Sequence, residues 1–324
     1  MAAVPGGRVL VVAENLDPAA DMVVAELNAR RVPVVRFDVA DFPQHITLAA
    51  DYGAEGWAGV LEHAGRTVRL DDVRSIYWHR PGRPHVDEAI PDAYRVWARD
   101  QADAALLNLL AALPVRWLNN PHTDRPASHK PQQLALASRC GLTVPRTLVT
   151  NVPEAARKWA ADLGAPIICK PVLGGRLDDP GERRRMVPAH QVDPNSLDDS
   201  VKLTAHLFQE KIPKDFEVRL TVVGCELFAA TIHAGSVQAE QDWRSDYPNL
   251  SYGTTSVPET VARGVRGYCT WSGLAFGAFD FAVTPAGEWV FFECNPSGTW
   301  AWVEQRTGLP IAAAHATYLQ GADA

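Results

Sequence analysis

Short apolar runs alternate with segments whose apolar positions recur every three or four residues, and this alternation predicts an α/β beginning to the chain. Residues 8–14, RVLVVAE, read as a strand. Residues 17–31, DPAADMVVAELNARR, read as an amphipathic helix, and 32–42, VPVVRFDVADF, as a second strand. Strand, helix and strand within ~35 residues imply a right-handed parallel crossover. VRSIYWHRPGRP at 73–84 reads as a strand leaving into a loop that carries Arg80 and Arg83. The apolar helix that follows at 93–113, AYRVWARDQADAALLNLLAAL, suits core packing or a homodimer face.

The pattern changes near residue 120. Ser128 can cap a helix running to Cys140, with Gly141 as its breaker. VPRTLVTN then reads as a strand, PEAARKWAADLG at 153–164 as a helix, and APIICKPVLGG at 165–175 as a strand entering a glycine turn. Lys170 ends that apolar strand. A lysine there is costly to bury unless a structural acid or an anionic ligand meets it. The paired glycines let backbone amides approach an anion closely.

Residues 206–236 predict a strand, an extended linker and two antiparallel strands turning at Val223-Gly224, with Glu217 and Arg219 on one face. The linker FQEKIPK offers the apolar and backbone edges on which a purine usually lies. Residues 275–298 predict a second hairpin turning at Pro285-Ala286-Gly287, with Asp280 on its first strand and Glu293 on its second. Glu293 and Asn295 share a face by the period of two, leaving Phe292 and Cys294 on the other. Alone, Glu-x-Asn at a strand end is also an ordinary turn cap. With Asp280 across the hairpin, three hard oxygen ligands converge in a set suited to Mg2+, whose shell is completed by water and substrate phosphates. Glu293 could bridge two ions, and Lys130 and Lys170 could hold phosphates as point charges.

Composition narrows the class. Across 324 residues, 47% are hydrophobic and 21% charged, as in an ordinary globular protein long enough for two or three lobes. A net charge of −7 argues against nucleic acid as the partner. No apolar run is long enough to span a membrane, and the N-terminus lacks a signal-peptide layout. Five scattered cysteines without a CxxC pair read as buried free thiols in a reducing cytoplasm. The first turn has no GxGxxG, and no Gly-x-Ser-x-Gly elbow occurs.

SHK at 128–130, IICKPV, FQEKIPKDFEVRL and FDFAVTPAGEWVFFECNPSG, in that order, resemble the core of an ATP-grasp ligase over about residues 120–324. YWHRP, DWRSDYPNLSYG at 242–253, and NPSGTWAWVEQRTGLPIAAAHATYL resemble more specifically the ATP-grasp maturases of ribosomal peptides, the graspetide or microviridin-type macrocyclases. Such enzymes join Asp or Glu side-chain carboxylates of a precursor peptide to Thr or Ser hydroxyls or Lys amines.

The resemblance implies an ATP-grasp fold, mixing α/β and α+β units, behind an N-terminal α/β (pre-ATP-grasp) domain. It divides the chain at 1–120, 121–205 and 206–324. It implies ATP and Mg2+, the latter as paired ions, as cofactors. Lys130 and Lys170 match the nucleotide-phosphate lysines, and Gln209, Glu210 and Ile212 match the adenine linker. Glu217 matches the ribose-binding acid, and Asp280, Glu293 and Asn295 match the metal ligands. Arg219 and Arg244 match cations that stabilise the transferred phosphoryl group. Arg80, Arg83, Arg184 and Arg185 are candidates for an acidic peptide, although ERRR at 182–185 also reads as a solvated face. The implied partner is a precursor peptide with a leader and an acidic core, acted on in the cytoplasm by a homodimer. Two other functions share this inventory: a carboxylate–amine ligase for free amino acids or a protein tail, and an idle nucleotide-binding scaffold. Trp300 and Trp302 read as core or interface aromatics, and Cys294 as core.

Overall fold

The computed structural model describes residues 7–174, 176, 177 and 185–321. The N-terminal unit is built on strand β1 (Arg8–Ala13), helix α1 (Pro18–Ala29) and strand β2 (Val34–Phe37). β1 and β2 are parallel, as the alternation predicts. Asp17 caps α1 by accepting from the amides of Ala19 and Ala20, and Pro18 starts the helix without an orphaned donor.

The second strand is shorter than its apolar run. It gives way after Phe37 to a 3-10 turn capped by Asp38. Between it and the next parallel strand lies a three-stranded antiparallel meander that the apolar pattern does not announce. Its strands are β3 (Ile46–Gly53), β4 (Gly56–His63) and β5 (Arg66–Arg69). β6 (Val73–His79), helix α2 (Asp92–Ala111) and β7 (Arg116–Leu118) complete the unit. The sheet order is β2-β1-β6-β7, all parallel. α2 buries Ala102, Leu106 and Leu110 against this sheet and the meander, while Tyr94, Val96 and Trp97 at its start stay exposed.

Helix α3 (Pro121–Ala127) and helix α4 (Lys130–Arg139) follow. Ser128 is therefore the end of α3 and not the cap of a helix running to Cys140. The physical reason is Pro131, which has no N–H to give the Ala127 carbonyl and is favoured only in a first turn. Strand β8 (Thr147–Thr150), helix α5 (Pro153–Leu163) and strand β9 (Ile167–Lys170) lead to β10 (Arg176–Leu177), β11 (Arg185–Met186), β12 (His190–Val192) and β13 (His206–Glu210). Four of these form an antiparallel sheet in the order β12-β9-β13-β8, backed by α5.

The last unit holds β14 (Phe216–Val223), β15 (Glu226–Ala234), the short helix α6 (Val237–Gln241), β16 (Leu250–Thr254), helix α7 (Glu259–Ser272), β17 (Phe276–Val283) and β18 (Trp289–Asn295). Both predicted hairpins are present. The antiparallel order β16-β15-β14-β17-β18 leaves β18 at an edge. Helices α8 (Ala301–Thr307) and α9 (Ile311–Gln320) close the chain.

One face of this sheet packs on α4 and α7. α8 and α9 lie in a common core with β1 and α1 of the N-terminal unit. Trp300 is buried there, its ring stacked on His315 and its indole N–H on the Tyr77 hydroxyl. Of the five thiols, Cys269 and Cys294 are buried, Cys140 and Cys169 half-buried, and Cys225 exposed. The expectation of buried thiols holds for Cys269 and Cys294 and fails outright at Cys225, which sits in the tight turn between β14 and β15.

Candidate active site

A cavity of about 170 Å³ opens between the β12-β9-β13-β8 sheet and the β14–β18 sheet. Lys170 from β9, Gln209 and Glu210 from β13, Ile212 from the linker, Glu217 from β14, Arg244, Asp280 from β17, Glu293 from β18 and Lys130 from α4 all line it. Elements far apart in sequence thus deliver the predicted residues to one place.

The carboxylate pair comes from the hairpin register. Asp280 and Glu293 are direct cross-strand partners, but Phe281 pairs with Phe291, leaving Phe292 as an extra residue. Such a bulge breaks the two-residue alternation. Phe291 and Cys294 go to the core, whereas Phe292 and Glu293 both line the cavity. The expectation that Phe292 shares a face with Cys294 is therefore corrected. The Phe292 ring lies 5.7 Å from the Lys170 ammonium. Cys294 is core, as expected.

Cations surround the carboxylates. Lys130 Nζ is 3.6 Å from one Glu293 oxygen. Arg244 Nη2 donates to Asp280 Oδ2 at 2.6 Å and lies 3.5 Å from Glu293 Oε1. Arg219 Nη1 is 3.0 Å from the other Asp280 oxygen. Arg219 is buried behind Asp280 and does not line the cavity. Both guanidiniums lie over the Trp243 ring, at 5.6 Å and 4.4 Å from its centre. Asn295 likewise stands outside the cavity lining and donates to Glu293 Oε1 at 3.3 Å.

Titration follows from this crowding. Burial alone would raise Glu293, but Lys130, Arg244 and Lys170 outweigh it and hold the carboxyl at about 2. Burial lowers the Lys170 ammonium to about 8, against the opposing pull of Glu293. Burial also raises Glu217, opposed by the adjacent Lys214 ammonium with which it is ion-paired.

The other predicted residues divide. Gln209 is fully buried; its Nε2 donates to Thr147 Oγ1, and its Oε1 has no partner among the described residues. Glu210 and Lys211 spend their backbone amides on Arg146 and Pro166 carbonyls. Arg80 and Arg83 are exposed and do not line the cavity. Arg184 lies outside the described residues, as does the side chain of Arg185. Sequence reasoning missed Lys214, Asp242 and Phe292 as lining residues. Asp242 accepts from the Arg244 amide at 3.0 Å, fixing that loop. The D-W-R run at 242–244 was the available signal for it; for Phe292 there was none, because alternation hides a bulge.

The donor set fits a metal–polyphosphate ligand. Among the described residues no cluster of three or more His, Cys, Asp or Glu side chains converges. Two carboxylates and an amide alone would leave Mg2+ to complete its shell with waters and phosphates, its usual habit. Lys130, Lys170 and Arg244 converge on Asp280 and Glu293 at one end of the cavity, placing cations where a phosphate chain could meet them.

Residues 8–125 match the family model described as the MvdD pre-ATP grasp domain. Three solved structures share the fold along almost the whole chain. A RiPP-associated ATP-grasp ligase of Chryseobacterium gregarium, in complex with ADP and a leader and core peptide, is 24% identical with a TM-score of 0.89, covering 98% of each chain. The macrocyclase MdnC of Microcystis aeruginosa, bound to the precursor peptide MdnA, is 25% identical with a TM-score of 0.84, over 97% of this chain and 100% of that one. The macrocyclase MdnB from the same organism is 26% identical with a TM-score of 0.77, over 97% and 99%. The carbamoyl phosphate synthase large chain of Thermus thermophilus is 28% identical over 221 residues, 61% of this chain, which spans a fifth of that relative's length (20%). The chain thus has the ATP-grasp fold with a pre-ATP-grasp domain, and resembles the ATP-grasp ligases of ribosomal peptide biosynthesis along its length. Among the described residues no helix is long and apolar enough to cross a membrane.

Proposed function

We propose that this ATP-grasp chain is an ATP-dependent ligase that closes rings in a ribosomally made precursor peptide. It activates Asp or Glu side-chain carboxylates as acyl phosphates and joins them to Thr or Ser hydroxyls or to Lys amines. The observation that carries the reading is the cavity end where Lys130, Lys170 and Arg244 crowd Asp280 and Glu293. Whole-length likeness to two macrocyclases narrows the carboxyl donor to a peptide.

In this reading Gln209, Glu210 and Ile212 flank the base, and the unpartnered Gln209 Oε1 accepts from an amino group on it. Glu217 takes the ribose. Lys130 and Lys170 hold phosphates, while Asp280, Glu293 and Asn295 hold Mg2+, two ions in the fullest form. When bound, the metal neutralises charge on the phosphates. Arg244 faces the transferring phosphoryl group, and Arg219 holds Asp280 in its orientation. The protein's task is positioning and charge, with no covalent nucleophile required.

A carboxylate oxygen attacks the γ-phosphorus, the bond to the bridging oxygen breaks and ADP leaves. The hydroxyl or amine then attacks the acyl carbon, the carbon–oxygen bond to phosphate breaks, and phosphate carries that oxygen away. Each ring costs the peptide one water. Whether ester or amide forms depends on which nucleophile the peptide presents at the acyl carbon.

The same proposal includes lobes at 1–120, 121–205 and 206–324, a cytoplasmic setting, and a homodimer using the exposed Tyr94, Val96 and Trp97 on α2. Arg80, Arg83, Arg184 and Arg185 are proposed contacts for acidic stretches of the peptide. The test is mass spectrometry of the precursor encoded beside this chain after incubation with enzyme, ATP and Mg2+. Loss of one water per ring, matched by one ADP and one phosphate, is expected. An unaltered precursor alongside ATP-dependent consumption of a free amino acid would instead favour the free amino-acid ligase.

A further inference from the structure

β18 is the edge strand of its sheet; Thr143 bridges its outer side at Val290 and Phe291, and beyond that point no strand of the sheet lies alongside it. Edge donors and acceptors need other partners, and an uncovered edge is free to fray or twist. At Cys294 the missing partner is a side chain. Gln133 of α4, buried at 3% exposure, accepts from the Cys294 amide at 3.1 Å and donates to the Cys294 carbonyl at 2.6 Å. Its amide stands in for one peptide group of an absent sixth strand. Its remaining N–H donates at 2.7 Å to the Ala127 carbonyl, the acceptor that Pro131 leaves without a helical donor. Every polar hydrogen of the Gln133 amide is thereby used.

The placement of this clamp matters more than its existence. Cys294 lies between Glu293 and Asn295, so the paired bonds fix the peptide planes on both sides of it. Gln133 also lies three residues after Lys130, the spacing that makes helix side chains neighbours. One helix therefore sets both the lysine that meets Glu293 and the backbone that aims Glu293. The far side is secured separately. Asn119 donates to the carbonyls of Pro296 and Phe276 at 2.9 and 2.8 Å and accepts from the amides of Ala275 and Phe276.

We propose that Gln133 is a positioning residue that holds the Glu293–Asn295 segment in the arrangement required to bind a divalent cation with nucleotide. The proposal rests on the ATP and Mg2+ reading above. An ionised carboxylate at this place could accept but not donate, and a thioether could only accept weakly, so only the primary amide satisfies all three backbone groups.

The test compares wild type with Gln133→Met, nearly isosteric and without a hydrogen-bond donor, by calorimetric titration of ADP with and without Mg2+. Circular dichroism serves as the check on folding. A folded variant should bind ADP alone within threefold of wild type, yet lose at least tenfold of the strengthening that Mg2+ confers. A merely structural residue would lower the melting temperature and leave that Mg2+ effect intact, and this outcome overturns the proposal. If wild type itself showed no Mg2+ effect, the nucleotide reading would fail and take the positioning role with it. Should Gln133→Met not accumulate as folded protein, hydrogen exchange of the wild-type Cys294 amide decides. Protection at least a hundredfold above an open strand edge supports the clamp, and exchange at the open-edge rate removes it.

Discussion

At the residue scale, Lys170 and Glu293 show the same low-dielectric setting acting on opposite charges. Glu293 ionises easily because three cations outweigh its burial. Lys170 gives up its proton easily because burial outweighs Glu293. The nucleotide-free protein therefore bears a buried charge at pH 7 that nothing fully compensates. Between pH 8 and the unperturbed 10.5, the unfolded chain holds a proton that the folded chain lacks. Folding stability from this group consequently rises with pH through that window, and its penalty is fully present below pH 8. Lys170→Met should leave the melting temperature of the nucleotide-free protein at or above that of wild type. The same variant should weaken ATP binding at least tenfold, about 1.4 kcal/mol. Wild-type affinity should also decline as pH rises past 8, and the variant should show no such decline. Differential scanning fluorimetry and calorimetry across pH read both effects, and a variant that loses stability and keeps ATP would refute this account of Lys170.

At the element scale, hairpins with glycine turns were legible, and with them the meeting of Asp280 and Glu293. Alternation also announced the first parallel crossover. What stayed hidden depends on contacts beyond the local pattern. The meander of β3, β4 and β5 exposes most of its residues, so little apolar periodicity marks it. The Phe292 bulge follows from a register shift against β17, which no single strand records. Gln133 reads in sequence as a polar helix residue, because two of its three backbone partners lie 161 residues away at Cys294. Arg219 alternates correctly with Glu217, yet it backs Asp280 instead of facing the cavity. The basic run at 183–185 carries a prediction of its own. Charge reversal at Arg184 and Arg185 should raise the KM for the precursor and leave ATP affinity nearly unchanged, because a peptide anchor apart from the chemistry acts through effective concentration. Equal peptide affinity of wild type and variant by calorimetry would mark the run as a solvated face.

At the scale of the whole molecule, the N-terminal unit and the C-terminal helices share one core, so the cavity-bearing sheet is seated on the parallel sheet through α8 and α9. His315 sits inside that seam, stacked on Trp300 and edge-on to Tyr77. Burial pushes its imidazole down to about 3 from 6.5. Below pH 6.5 the unfolded chain takes up a proton that the folded chain refuses, so stability should fall as pH drops, by about 2 kcal/mol between about pH 7.5 and 5. Asp124, raised by burial to about 6, works in the opposite direction over the same range. Comparison of urea unfolding for wild type and His315→Phe across pH isolates the histidine: the difference in stability between them should shrink or reverse toward the acid end, and a constant difference would refute its role. The catalytic claim for the assembled molecule is that the peptide carboxylate, and not the hydroxyl or amine, receives the phosphoryl group. A precursor whose acidic side chains carry oxygen-18 in their carboxylates tests this directly, by mass spectrometry of the phosphate released during ring closure with ATP and Mg2+. The account predicts one labelled oxygen in each phosphate for every ring formed; unlabelled phosphate released in step with ring formation would contradict it.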